Sequence, residues 1–246
     1  MRTKILIFSI LFNLIFIVFI VVVIMQRGGI PYLKQRFGFE KEATIEKQDS
    51  THKLNNYYYQ RKSLFELLPD DPEEIIFLGN SLTNGCEWQE LFNNPKIKNR
   101  GINGDYTVGV LNRLDEIVRA KPKKIFLMIG VNDLGRDIPV DTVIKNYQKI
   151  LDTIKIRSPK TEIFMQSVLP DNLEISPNRQ PIQLILDLNK KLKILASKND
   201  ITFIDLYPSF IDKNGYLDSS LTNDGLHLMG KGYLIWKKII MKYIDK

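Results

Sequence analysis

From residue 57 onward, short apolar runs alternate with amphipathic helical stretches, and that alternation restricts what this chain can fold into. Five runs read as strands: 74–79 (EIIFLG), 98–102, 124–129 (KIFLMI), 162–167 and 201–205. The near-continuous apolar character of 74–79 and 124–129 predicts strands buried on both faces. Between the runs, helices are predicted over 108–120, 141–157, 181–199 and 232–244. Leu111, Leu114 and Val118 share one face of the first. Pro139 precedes the second, as suits a helix start, and Ile185, Leu188, Leu192 and Leu195 stripe the third. Alternating strand and helix predicts an α/β fold with a parallel sheet. Ligands of such sheets bind at the carboxyl ends of the strands, so the residues just after each strand carry the functional information.

Four such turns stand out. After the first strand, 79–85 reads GNSLTNG, and Ser81 either caps a helix or projects its hydroxyl over the sheet edge, where it could serve as a nucleophile. After the second, 99–105 reads NRGINGD; Gly104 lets a backbone N–H approach a ligand closely, or forms an ordinary Gly-Asp turn. The glycine spacing is not a dinucleotide fingerprint. After the third, 130–135 reads GVNDLG, and the Asn132 amide is a good donor to a developing oxyanion, or again part of a polar turn. Near the C-terminus, 221–228 reads LTNDGLHL. Asp224 there stands three residues before His227, a spacing at which a carboxylate can fix the imidazole tautomer and steady the imidazolium. Only two histidines exist, His52 and His227, so histidine chemistry has two addresses. His52 lies in a polar stretch without an evident partner.

The four segments resemble the four sequence blocks of the SGNH hydrolases, the group that includes the GDSL esterases and lipases. The resemblance covers about residues 74–233. It is nearest the branch with platelet-activating-factor acetylhydrolase-like and carbohydrate acetylesterase-like members. It implies a three-layer α/β/α sandwich around a five-stranded parallel sheet, of flavodoxin-like type. It also implies a catalytic triad of Ser81, Asp224 and His227, and an oxyanion hole of the Ser81 and Gly104 N–H groups and the Asn132 side chain. One departure is visible: the usual Gly-Asp-Ser is Gly-Asn-Ser, with Asn80 in place of the Asp.

Residues 5–25 form a separate feature, apolar except for Ser9 and Asn13. As a helix they would span about 31 Å at 1.5 Å per residue, enough for a bilayer core. Arg2 and Lys4 precede the run, and no small-residue cleavage site follows Met25. The expectation is an uncleaved signal anchor over 1–27, a juxtamembrane linker over 28–54 and a hydrolase domain over 55–246, as a single-pass membrane protein with its catalytic domain outside the cytoplasm.

The chain has 246 residues and a formal net charge of +7, but its basic residues are scattered among acids, as on solvated helix faces. No basic patch with interleaved aromatics marks a nucleic-acid partner. The single cysteine, Cys86, excludes an intrachain disulfide and a cysteine metal cluster. The mechanism implied needs no metal and no cofactor. The expected substrate is a small acyl ester, with an acetyl group on a carbohydrate or lipid-like alcohol such as an O-acetylated glycan. Acyl transfer to a glycan hydroxyl and a non-catalytic glycan-binding role are the alternatives. The loops 169–179 and 209–223 are expected to border the cleft.

Overall fold

The computed structural model describes residues 54–177 and 179–244, together with the isolated positions Asn13, Leu14, Phe16, Val22 and Met25. The chain divides into two units, Met1–Ser50 and Thr51–Lys246, and the fold below belongs to the second. In order, the elements are α1 (Asn56–Leu67), β1 (Ile75–Gly79), α2 (Ser81–Asn84), α3 (Trp88–Phe92), β2 (Ile97–Gly101), α4 (Thr107–Asn112), α5 (Leu114–Arg119), β3 (Lys124–Met128), α6 (Val131–Leu134), α7 (Val140–Arg157), β4 (Glu162–Gln166), α8 (Ile182–Lys198), β5 (Thr202–Ile204) and α9 (Gly230–Ile244).

The five strands form one sheet in the order β2-β1-β3-β4-β5, with every pairing parallel. Side chains alternate across the pleat, and each face collects its own core. Ile76, Leu78, Ile125, Leu127, Ile163 and Met165 pack under α4, α5, α7 and α8. Ile75, Phe77, Phe126, Met128, Phe164 and Ile204 pack under α3 and α9. The second face is aromatic. Phe77 stacks on Phe126 at 5.0 Å and on Trp88 at 4.4 Å, and Phe126 stacks on Phe164 at 4.6 Å. Fully burying each such ring stabilises by about 1.5–3 kcal/mol.

Polar anchors fix the layers in register. Lys124 opens β3 fully buried, and its ammonium donates to the carbonyls of Tyr243 (2.7 Å) and Ile244 (3.1 Å), capping the C-terminal end of α9. Trp236 of α9 donates its indole N–H to Gln166 Oε1 at 2.6 Å.

The five predicted strands are all present, within a residue or two at each end. The single helix expected over 108–120 is instead two, α4 and α5, broken at Arg113, whose side chain turns inward to bond with the sheet edge. Helix α1 was not predicted. Half of its residues are polar, its apolar ones form no clear stripe, and it buries only Tyr58 and Phe65.

The transmembrane helix expected over 5–25 falls almost wholly outside the described residues, as do His52 and nearly all of the linker. Among the described residues, no helix is long and apolar enough to cross a membrane. A span needs roughly 20 mainly apolar residues. The longest described helices, α7 with 18 and α8 with 17, are amphipathic and carry charged outer faces. The assignment as a single-pass membrane protein with an extracytoplasmic catalytic domain is therefore corrected and goes no further.

Candidate active site

Strand register sets the site. Gly79 of β1 pairs with Gly101 of β2 on one side and Met128 of β3 on the other, so the three strands end level. Ser81 follows two residues after Gly79, Gly104 three after Gly101, and Asn132 four after Met128. The central strand thus presents its serine between the two neighbouring turns.

Asn80, not Ser81, caps α2. Its Oδ1 accepts the Leu82 N–H at 3.0 Å, which leaves the Ser81 hydroxyl for other partners. This gives the family's altered residue a role: Asn80 is buried, and an amide oxygen caps as well as a carboxylate without burying a charge. Helix α2 lies very close to the sheet. A Cβ on Gly101 would stand 2.2 Å from the Asn84 N, so glycine alone permits that approach. From the far side, the Tyr233 hydroxyl donates to the Leu82 carbonyl at 3.0 Å.

Asp224 and His227 arrive from the loop before α9. The Asp224 Oδ1 accepts the N–H groups of Leu226 (2.9 Å) and His227 (2.8 Å), a tight turn closed by its own side chain. Gly225 has φ +82° at its centre, and its carbonyl accepts the Asn172 N–H at 2.7 Å. A Cβ there would meet the Asn172 carbonyl oxygen at 2.9 Å, so the turn requires glycine on both counts. Asp224 Oδ2 stands 2.6 Å from His227 Nδ1, and His227 Nε2 stands 2.9 Å from Ser81 Oγ. With Nδ1–H held by the carboxylate, Nε2 is the acceptor and the serine hydroxyl donates. Partial burial raises the Asp224 carboxyl, but hydrogen bonds from the His227 ring and from the N–H groups of Leu226 and His227 outweigh it. They hold the group well below the usual carboxylate range. The carboxylate is therefore charged wherever an imidazolium would need it.

Gly104 adopts φ +76°. Its carbonyl accepts from Arg136 Nη2 at 3.0 Å, and the Asn132 amide donates to the Asp105 carbonyl at 2.8 Å. The β2 and β3 turns are thereby tied together. An Asn amide carries two N–H groups, so the second can serve another acceptor.

Several buried charged residues behind these turns, Arg113, Asp133 and Asp171 among them, escaped the sequence reading. Arg113 is 0% exposed; it donates to Asp105 Oδ2 (2.9 Å), Glu116 Oε1 (3.2 Å), and the carbonyls of Arg100 (2.8 Å) and Gly79 (3.3 Å). Asp133 accepts the Thr107 N–H and, at 2.5 Å, the Thr107 hydroxyl; burial pushes its carboxyl up to about 6 against those bonds. Asp171 lies near the triad. Burial pushes its carboxyl up to about 6, with Arg179 and His227 pulling the other way. Cys86 is buried, and burial pushes its thiol up to about 12. Among the described residues, no group of His, Cys, Asp and Glu could hold a metal ion.

A serine, a histidine and an aspartate in hydrogen-bonded series at the carboxyl edge of a parallel sheet form the arrangement of a serine hydrolase. Comparison narrows that class. The profile of the GDSL-like Lipase/Acylhydrolase family matches residues 77–235. The chain is 30% identical over 170 residues to platelet-activating factor acetylhydrolase IB subunit alpha1 of Pongo abelii, covering 67% of this chain and 72% of that protein. A solved Streptococcus pneumoniae chain, whose description refers to platelet activating factor, is 32% identical with a TM-score of 0.69, covering 76% of this chain and 91% of that one. An acetylxylan esterase from Geobacillus stearothermophilus shares the fold at 18% identity and a TM-score of 0.58, covering 72% of this chain and 96% of that one. The chain belongs to the GDSL-like lipase/acylhydrolase family, within the SGNH hydrolases, and is an ester-hydrolysing enzyme.

Proposed function

We propose that Ser81, His227 and Asp224 form the catalytic triad of an esterase that removes small acyl groups, acetyl foremost, from a carbohydrate or lipid-like alcohol. The unbroken relay from Ser81 Oγ through His227 to Asp224, at 2.9 and 2.6 Å, carries this reading. His227 Nε2 takes the hydroxyl proton as Oγ attacks the ester carbonyl. Asp224 holds the ring and balances its charge. The Ser81 and Gly104 N–H groups and the second Asn132 N–H receive the oxyanion. At the first position of α2, the Ser81 N–H has no acceptor within the helix. His227 then protonates the departing alcohol, and a water deprotonated by His227 releases the acid. The catalytic unit begins at residue 55, after the stretch 28–54.

Side-chain exposures of 45% for His227 and 47% for Asp224 favour hydrolysis over acyl transfer, because water reaches the relay directly. The relatives' names, an acetylhydrolase and an acetylxylan esterase, support the acetyl preference. A chain-length series of p-nitrophenyl esters tests it. Acetate and propionate should outpace octanoate in kcat/KM. Turnover confined to long acyl chains would refute the small-acyl reading, and a product carrying the acyl group on an added sugar would replace hydrolysis with transfer.

A further inference from the structure

Beside the relay lies a cavity of about 190 Å³ lined by Val131, Gly135, Asp171, Ser176, Arg179 and Gln180. Its walls are the turn after β3 and the loop between β4 and α8. Val131 precedes Asn132 in α6. The neighbour of Asp171, Asn172, binds the carbonyl of Gly225 between Asp224 and His227. Asp171 itself lies within electrostatic reach of both Asp224 and His227.

The carboxylate of Asp171 is anomalous. The residue is 3% exposed, yet its Oδ1 is buried with no hydrogen-bond partner among the described residues. Buried polar atoms are nearly always paired, and an unpaired one needs an explanation. Arg179 lines the same cavity and pulls on the Asp171 carboxyl electrostatically, with no hydrogen bond to its buried Oδ1. The cavity therefore holds a strong acceptor and a strong donor that do not satisfy each other. A cationic ligand would face the guanidinium and an anionic one the carboxylate. A neutral hydroxyl suits both, since it donates to a carboxylate and accepts from a guanidinium.

We propose that this cavity is a subsite for the alcohol portion of the substrate, and that it recognises a neutral, polyhydroxylated group such as a sugar ring through Asp171 and Arg179. The inference rests on the esterase reading above and narrows its substrate class. Asp171 is then a specificity residue that accepts from a ring hydroxyl while Arg179 and Gln180 donate.

The test uses the full chain and its Asp171→Asn and Asp171→Ala variants. The substrates are a methyl glycoside carrying a single acetyl ester beside free hydroxyls, its fully acetylated counterpart, and p-nitrophenyl acetate. In the variants, the ratio of kcat/KM for the mono-acetylated glycoside to that for p-nitrophenyl acetate should fall about tenfold or more, since a hydrogen bond to a charged group is lost. The fully acetylated glycoside should show no such fall in its ratio. Asp171→Asn should also raise Tm, because it removes an uncompensated buried charge. A ratio within about twofold of wild type, or a fall shared equally by all three esters, overturns the subsite. Binding of the mono-acetylated glycoside to Ser81→Ala, measured by calorimetry with and without Asp171→Asn, separates the two readings. Asp171-dependent binding without any wild-type hydrolysis leaves the subsite standing and removes the esterase reading. Binding indifferent to Asp171 removes the subsite whatever the esterase does.

Discussion

Replacing Arg113 by Met should damage the fold and the site together. The guanidinium is fully buried and pairs with two buried carboxylates, Asp105 and Glu116, and bonds two carbonyls at the ends of β1 and β2. Removing one partner of a buried ion pair costs about 3–5 kcal/mol, since the other charges stay behind. For a domain of this size that is about 2–4 °C per kcal/mol, so Tm should fall by about 6–20 °C. Burial already raises both carboxyls, with Arg113 the leading force lowering them. Without it they rise further. A group whose folded pKa is raised favours the folded state while protonated, and that contribution is lost as pH climbs through the folded value. The variant should thus be weakest relative to wild type at pH 8 and recover part of the deficit at pH 5. Adding Asp105→Asn and Glu116→Gln should restore stability at pH 8. Because Asp105 adjoins Gly104 and its carbonyl holds Asn132, kcat should fall on the order of 10²-fold, as for a misplaced donor. Scanning calorimetry at both pH values, with p-nitrophenyl acetate turnover beside it, reads all of this. A Tm loss below about 2 °C, or a larger loss at pH 5 than at pH 8, would refute the reasoning.

Other outcomes follow from the same geometry. Asp224→Asn should lower kcat on the order of 10⁴-fold by favouring the wrong imidazole tautomer, with little change in Tm at this half-exposed site; stopped-flow and calorimetry check each half. Gly225→Ala, at φ +82° and against the Asn172 carbonyl, should lower both Tm and kcat, with KM changed less. Cys86 should resist alkylation at pH 8 in the native protein and react on unfolding, as mass spectrometry of iodoacetamide-treated samples would register.

Much of this was legible in the sequence because the signals were positional. β1, β3 and β4 are buried runs, and burial on both faces leaves a continuous apolar signature. Ser81, Gly104, Asn132 and the Asp224–His227 pair each follow directly on an element end or sit in a Gly-containing turn. What stayed hidden is buried charge. Arg113, Asp133 and Asp171 look in sequence like solvated residues, since nothing local distinguishes a guanidinium turned into the sheet edge from one turned to water. Arg113 sits off the stripe of Leu111, Leu114 and Val118, so its helical context gave no warning that it breaks the helix. Helix α1 was missed for a related reason. Its stability comes from Tyr58 and Phe65 packing on Ile102 and from the Tyr58 hydroxyl donating to the Gly109 carbonyl, contacts 51 residues apart in the latter case. The apolar run over 5–25 suggested a membrane span from hydropathy alone, and the described helices do not supply one.

The most direct test of the relay is covalent labelling with a fluorophosphonate, which reacts with an activated serine. Intact-mass and peptide analysis should find one adduct, on Ser81, abolished by Ser81→Ala and slowed by at least about 10³-fold in His227→Ala. Labelling of another residue, or of Ser81 at the same rate without His227, would contradict the account.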